Sequence, residues 1–160
     1  YFRNDFEDLI VWNPSLFILD NVGHARSAGV EVSLAWQFNE QTRIDANYTL
    51  TDTIDRNTGA ELLRRPRHRA HIALTRALSN NKTEIGFSLG YTGSRLDNPP
   101  GLAQTELEHF MLLNLHANHQ IDEQWLFFVR AQNITNESYE EIYGFGTPGA
   151  TVQAGLTLTR

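Results

Sequence analysis

From Gly29 to Phe38 the chain reads GVEVSLAWQF, in which Val30, Val32, Leu34, Trp36 and Phe38 alternate with Glu31, Ser33, Ala35 and Gln37. Successive side chains of a strand point to opposite faces, so this spacing predicts a strand with one apolar and one mostly polar face. The same period returns in Arg43–Thr51, where Ile44, Ala46, Tyr48 and Leu50 share a face, in Glu84–Thr92 and in Val152–Thr159. Less regular versions run over His71–Leu78, Met111–His119 and Trp125–Asn133, and an opening strand lies within Arg3–Trp12. Together these predict about eight strands. The one helix-like stretch, Gly101–Leu113, lacks a sustained i, i+3, i+4 apolar stripe, so no helix is expected there.

The connections carry as much information as the strands. Asn39–Thr42, Ser79–Lys82 and Gln120–Gln124 are polar and of hairpin size. The stretches Asp52–Arg69, Gly93–Glu108 and Thr135–Gly149 are long, and short and long connections alternate. An antiparallel meander with tight turns at one end and long loops at the other is the pattern of a membrane barrel, whereas a soluble sandwich mixes its loop lengths. The second strand reads as running from Asn21 to Phe38, well past the roughly 9–11 residues needed to cross a bilayer. Trp12, Trp36, Phe38, Tyr91 and Trp125 fall near strand ends, as interfacial girdles require. The expected fold class is all-β, an antiparallel transmembrane β-barrel meander.

Composition narrows the classes further. The chain has 160 residues, a formal charge of -6 and no cysteine. The acidic balance gives no support to nucleic-acid binding, and no disulfide or thiolate metal site is possible. Mean hydropathy is on the polar side, which decides nothing, because inward polar residues dilute the signal of a membrane barrel. The chain opens on Tyr1, inside YFRNDFEDLIVW, which predicts a segment of a longer protein. Of the six histidines, His68 and His71 are three apart, as are His116 and His119. Odd spacing on a strand sends each pair to opposite faces, so no metal site is expected from them. Asp52–Glu61 departs from the calcium-loop pattern and reads as a solvated loop. No nucleophile elbow or phosphate-binding glycine loop is present, so neither an enzyme nor a cofactor is expected.

Three segments carry a family resemblance. Asn21–Trp36 has a basic-x-x-Gly-Val-Glu core in Arg26, Gly29, Val30 and Glu31. Glu61–Leu74 has an Arg-Arg-Pro-x-His element. Ala131–Leu158 has Asn133, Ile134, Asn136 and Tyr139, followed by Tyr143, Gly144, Phe145, Pro148 and Gly149. In order and spacing these resemble the C-terminal barrel strands of TonB-dependent outer-membrane receptors, over essentially all of residues 1–160. The chain is most similar to vitamin B12 (cobalamin) receptors, with siderophore receptors next.

The resemblance implies about eight strands of a barrel of about 22, in the outer membrane of a Gram-negative bacterium. The missing N-terminal region would hold the plug and the box through which TonB acts. The implied partners are cobalamin or a ferric siderophore, outer-membrane lipid and lipopolysaccharide, and the barrel-assembly machinery. Within the basic cluster Arg64, Arg65, Arg67, His68 and Arg69, the match to Leu-Leu-Arg-Arg implies that Arg64 contacts the ligand. A guanidinium can hold amide or phosphate oxygens bidentately. The alternative is that this cluster faces lipopolysaccharide phosphates or inward acids such as Glu31 and Asp45. The resemblance also implies an assembly signal in the last strand, with Gly155 and Leu158 at plausible positions and Arg160 where an aromatic residue is usual.

Overall fold

The structure is a computed structural model that describes residues 1–8, 10–13, 16–21, 23–78 and 82–159, with backbone only at 11–13 and 20–21. The strands are β1 (Phe2–Glu7), β2 (Ile10–Asn13), β3 (Ile18–Asn21), β4 (His24–Asn39), β5 (Thr42–Asp55), β6 (His68–Ala77) and β7 (Thr83–Thr92). There follow β8 (Arg95–Asp97), β9 (Thr105–Leu107), β10 (Phe110–Gln120), β11 (Trp125–Gln132), β12 (Glu140–Ile142), β13 (Phe145–Gly146) and β14 (Thr151–Leu158). No helix occurs among the described residues.

Eight of these strands form one antiparallel sheet in the order β1-β4-β5-β6-β7-β10-β11-β14, and the sheet does not close on itself. Each member pairs with the one before it, so the sheet is an up-and-down meander. The remaining strands pair locally, as β2–β3, β8–β9 and β12–β13, within the long connections. All the long connections leave one end of the sheet, and the tight turns leave the other.

The register sorts the side chains as the alternation predicts. Leu34 lies opposite Ala46, which lies opposite Ile72, then Leu89, then Leu113. Phe87, Leu115, Ala131 and Val152 form a second row on the same face. The other face carries Ser33, Asn47, His71 and Gly90 in one row. It also carries a ladder in which Arg130 donates to Asn118 Oδ1 at 2.9 Å and Asn118 donates to Glu84 Oε1 at 3.1 Å. His71 and His116 lie on the polar face and His68 and His119 on the apolar one, so each pair is divided.

Among the described residues, nothing packs on the apolar face. Val32 is 58 % exposed, Leu34 53 % and Phe38 59 %. Among the described residues, the buried apolar ones are Ala25, Leu107 and Phe110, all toward the loop end. A soluble sandwich would bury this face against a second sheet. A continuous exposed apolar surface of this extent requires an apolar solvent. Trp36 and Phe38 meet edge to face at 5.2 Å beside the Asn39–Thr42 turn, and Trp125 sits on the same face opposite Leu158. Tyr91 lies on that face at the loop end of β7.

Several boundaries differ from the sequence reading. The opening strand expected within Arg3–Trp12 is two strands, β1 and β2, divided at Asp8. That residue has φ of 59°, and its amide donates to the Gly23 carbonyl at 2.6 Å. The second strand begins at His24 rather than Asn21, because Gly23 takes the left-handed region at φ 78° and ends the pairing with β1. β5 continues to Asp55 and β6 begins at His68, so the first of the three expected long loops shortens to residues 56–67. Of the Ser79–Lys82 turn, residues 79–81 lie outside the described residues, as do Arg160 and the side chain of Trp12. Gly29 shows why one strand residue has no side chain: a Cβ there would sit 1.9 Å from the Leu50 carbonyl oxygen.

The two faces make a direct prediction. Leu34→Arg places a charge at the middle of the apolar band and is expected to cost about 2–4 kcal/mol, read from denaturant titration in lipid vesicles. Ser33→Arg, one residue away on the polar face, is expected to leave the midpoint unchanged. Equal effects from both would contradict the assignment of faces.

Candidate ligand site at the loop end

Three long loops meet above the sheet: residues 56–67, 93–109 and 133–150. Their meeting point is Asp97, whose side chain is fully buried. Its Oδ1 accepts from Arg64 Nε at 2.7 Å and from the Asn98 amide at 2.8 Å, and its Oδ2 accepts from the Tyr143 amide at 2.9 Å. One carboxylate therefore joins all three loops. Arg64 itself is left-handed, at φ 57°, and its amide donates to the Leu96 carbonyl at 2.7 Å. That backbone bond turns the side chain back onto Asp97. Burial works against the Asp97 charge, but the Tyr143 amide, Arg64 and the Asn98 amide outweigh it and hold the carboxyl below its usual pKa.

Arg95 makes a second tie, between the second and third of these loops. It is only 7 % exposed and donates to the carbonyls of Glu108 and Glu140. Its guanidinium lies 5.3 Å from the centre of the Phe110 ring, and Phe110 packs on Tyr139 at 4.2 Å. Burial pulls the Arg95 pKa below its ordinary value, but a guanidinium starting so high stays charged.

The third loop is shaped by asparagines. Asn133, nearly buried, has φ of 49°; its side chain accepts from the Glu137 amide and donates to the Glu137 and Pro148 carbonyls. Its own amide donates to Asn114 Oδ1 on β10. Asn136, at φ 54°, accepts from the Ala150 amide at 3.0 Å. The side-chain oxygen of Asn136 would lie 2.5 Å from any Cβ at Gly149, which explains the glycine. The Asn133–Gly149 motif is thus a folding element that closes the loop over Asn114.

Between these ties and the sheet lies a cleft of about 190 Å³. Arg69, Thr92 and Phe110 stand in register on the polar face beneath it, and Arg64, Arg95 and Glu141 line it from the loops. Three guanidinium groups thus face one carboxylate and an aromatic ring. Such a set suits an anionic, oxygen-rich ligand that a guanidinium can grip with two parallel bonds.

The basic cluster divides between the two faces. Arg64 and Arg69 line the cleft, while Arg67 pairs with Asp52 at 2.8 Å and His68 Nδ1 shares a hydrogen bond with the Tyr48 hydroxyl, both on the apolar-face side. The alternative that the cluster faces inward acids such as Glu31 or Asp45 is not what Arg64 does: Arg64 holds Asp97, and Asp45 is held by Arg43 at 2.7 Å. Asp97 and Arg95 went unnoticed in the sequence. The Arg-x-Asp spacing inside a long loop was their only trace, since the partners lie 33 and 45 residues away. Of Asp52–Glu61, expected as a solvated loop, residues 52–55 are the end of β5 paired with β4, and only the rest is a turn, capped by Asp55, which accepts from the Asn57 and Thr58 amides. In the last strand, Gly155 lies opposite Phe128 and Leu158 opposite Trp125.

An open antiparallel wall with one bare apolar face, tight turns at one end and interlocked loops at the other is part of a membrane β-barrel. A family model described as TonB dependent receptor-like, beta-barrel, matches residues 1–134. The chain belongs to that family, whose members reside in the outer membrane. Its fold is similar to the ferripyoverdine receptor of the outer membrane of Pseudomonas aeruginosa (TM-score 0.79, 16% identity, 99% of this chain and 24% of that one). It is similar also to the ferric-catecholate import receptor Fiu of E. coli K12 (0.77, 17%, 98% and 24%) and to the copper transporter OprC (0.79, 16%, 98% and 27%). The chain spans about a quarter of the length of these receptors.

Asp97→Asn removes the charge that Arg64 needs and weakens the bond from the Tyr143 amide, at an expected cost of about 1–3 kcal/mol. Hydrogen exchange should then accelerate in residues 62–66 and 141–145 together, whereas independent loops would respond singly. The pH dependence follows from the lowered pKa. The tie contributes fully above the unfolded value of about 4 and is lost as pH falls through the lower folded value. The protection of the Tyr143 amide, relative to the intrinsic exchange rate at each pH, should therefore be flat from neutral to mildly acidic pH and fall only in stronger acid.

Proposed function

We propose that this chain is wall and loop mouth of a TonB-dependent importer, and that the cleft under the loops takes part in capturing an anionic ferric siderophore. The observation that carries the reading is the convergence of Arg64, Arg69 and Arg95 on one cleft on the polar, inward face. A ferric siderophore presents carboxylate, catecholate or hydroxamate oxygens around the metal, which the exposed Arg64 and Arg69 can bind by charge-assisted hydrogen bonds while the buried Arg95 adds positive charge beside them. Similar folds include receptors of ferripyoverdine and ferric catecholates, which supports a chelate as cargo. In this scheme the loops capture the chelate outside, TonB supplies the force through parts of the receptor beyond this segment, and the lumen is the path inward.

Cobalamin is the second reading. It rests on Leu62-Leu63-Arg64-Arg65, the stretch similar to the cobalamin receptors' ligand-contacting segment. The Arg64 side chain keeps 44% of its surface exposed while its Nε is held by Asp97, so its remaining donors can still meet amide oxygens of a corrin. Three arginines in one cleft favour a charged ligand over a nearly neutral one. In β14, Gly155 and Leu158 are proposed to belong to the signal read by the barrel-assembly machinery.

The test is ligand binding to the full-length receptor, by tryptophan-fluorescence quenching with ferric catecholate, ferric hydroxamate and cyanocobalamin. One ferric chelate is expected to bind, and Arg69→Gln to weaken it about tenfold, which is 1.4 kcal/mol. Binding of cyanocobalamin alone would replace the siderophore reading by the second. Ferric-chelate binding indifferent to both Arg64→Gln and Arg69→Gln would remove the cleft from the ligand path.

A further inference from the structure

The cleft under the loops holds one carboxylate that neither loop tie consumes. Glu141 lies in a stretch fixed at both ends, since the Glu140 carbonyl accepts from Arg95 and the Tyr143 amide donates to Asp97. The Glu140 carboxylate accepts from the Gly144 amide at 3.0 Å, whereas Glu141 lines the cleft and accepts no hydrogen bond among the described residues. Its charge supports that of the buried Arg95, against the burial that disfavours it. Arg69 lines the same cleft and has no carboxylate partner among the described residues. It stands directly across from Thr92 on the inward face, so a guanidinium and a hydroxyl share one floor.

Charge and size together limit what this cleft can take. Asp97 answers the charge of Arg64 and Glu141 answers that of Arg95, which leaves the single positive charge of Arg69. At about 190 Å³ the cleft falls below the roughly 300–1,000 Å³ of pockets that enclose a whole small-molecule ligand. A bulky chelate core therefore stays outside, and only an arm of it enters. A carboxylate ending that arm matches the fork of Arg69, which can grip it by two parallel bonds. A second negative charge on the arm would find no second unanswered guanidinium and would face Glu141. Like charges repel more strongly where loops exclude part of the water.

We propose that Glu141 is the charge selector of the cleft, restricting it to a pendant arm that ends in a single carboxylate, while the iron core rests outside among the loops. This rests on the ferric-siderophore reading and narrows it to chelates with one free carboxylate that does not coordinate the metal. The carboxylate takes its bonds from Arg69 and the Thr92 hydroxyl, and the methylenes of the arm lie against Ile142 and Phe110. A tris-catecholate, which carries its charge on the iron core, gains little from such a cleft.

The experiment uses the full-length receptor and one iron core with three different arms. Ferrioxamine B has a neutral tris-hydroxamate core and a free amine. The amine is capped with an acetyl group (no charge), a succinyl group (one carboxylate) or a tricarballylyl group (two carboxylates), and tryptophan-fluorescence quenching gives each Kd. The succinyl form is expected to bind about tenfold tighter than the acetyl form, and Arg69→Gln to erase the difference. The tricarballylyl form should bind the parent receptor no better than the succinyl form. It should bind Glu141→Gln about tenfold better than the succinyl form does, a gain that loss of a merely structural contact would not produce. Glu123→Gln, in the tight turn at the other end of the sheet, should change neither comparison. Heat-modifiable gel mobility reports folding of each variant. Equal binding of the acetyl and succinyl forms, or an unchanged order of the two carboxylate arms in Glu141→Gln, overturns the proposal and leaves the ferric-chelate reading standing. Binding of a ferric tris-catecholate in place of all three ferrioxamine forms does the same. Binding of cyanocobalamin and of no ferric chelate overturns both.

Discussion

The structure depends on one constraint: every backbone amide and carbonyl that crosses the membrane must find its partner within the sheet. The six inner strands meet it on both edges, and β1 and β14 on one edge each, by a ladder in which each strand pairs with the one before it, from Phe2–Gly29 to Trp125–Leu158. Pairing in register has a second effect, because it commits whole faces together. Once Val30 stands opposite Leu50 and Leu115 opposite Ala131, a polar residue moved onto the apolar face would be out of phase with its entire row. Among the described residues nothing else supplies an apolar core: the buried apolar residues Ala25, Leu107 and Phe110 lie toward the loop end, and the apolar face is completed by lipid.

At that loop end the energetics change character. Exposed pairs such as Arg43–Asp45 on the polar face contribute little, since water screens them and two side chains must be held still. Asp97 is different, because its carboxylate is out of water and every donor it loses leaves a buried charge short of a partner. Arg95 behaves likewise, with two carbonyls and a ring face replacing its hydration. The loops are therefore stiffened by a few buried polar groups, while the wall below is stiffened by its backbone.

The wall was legible in the sequence because its signal is local. Val30 to Phe38 declares its face by a period of two, and the alternation of tight and long connections declares the meander. The boundaries were less legible where one residue's backbone conformation decides them. Asp8 and Gly23 end strands by taking positive φ, and the apolar pattern runs straight past both. Arg64 was reached through resemblance, and the sequence held no sign that its guanidinium turns to Asp97 or that Arg69 and Arg95 share its cleft. Those juxtapositions are made by loops of different strands, and periodicity carries no information across them.

Asp97 also sets how this surface can be exchanged between related receptors. A graft that replaces residues 56–67 alone takes Arg64 from a buried carboxylate, and one that replaces residues 93–109 alone takes the carboxylate from Arg64 and from the Tyr143 amide. A tip residue such as Thr58, which bonds to Asp55 and Ala60 of its own loop, can vary on its own. Recombination and loop engineering therefore meet two kinds of territory on one rim: single residues at the tips, and a three-loop block that moves between scaffolds whole.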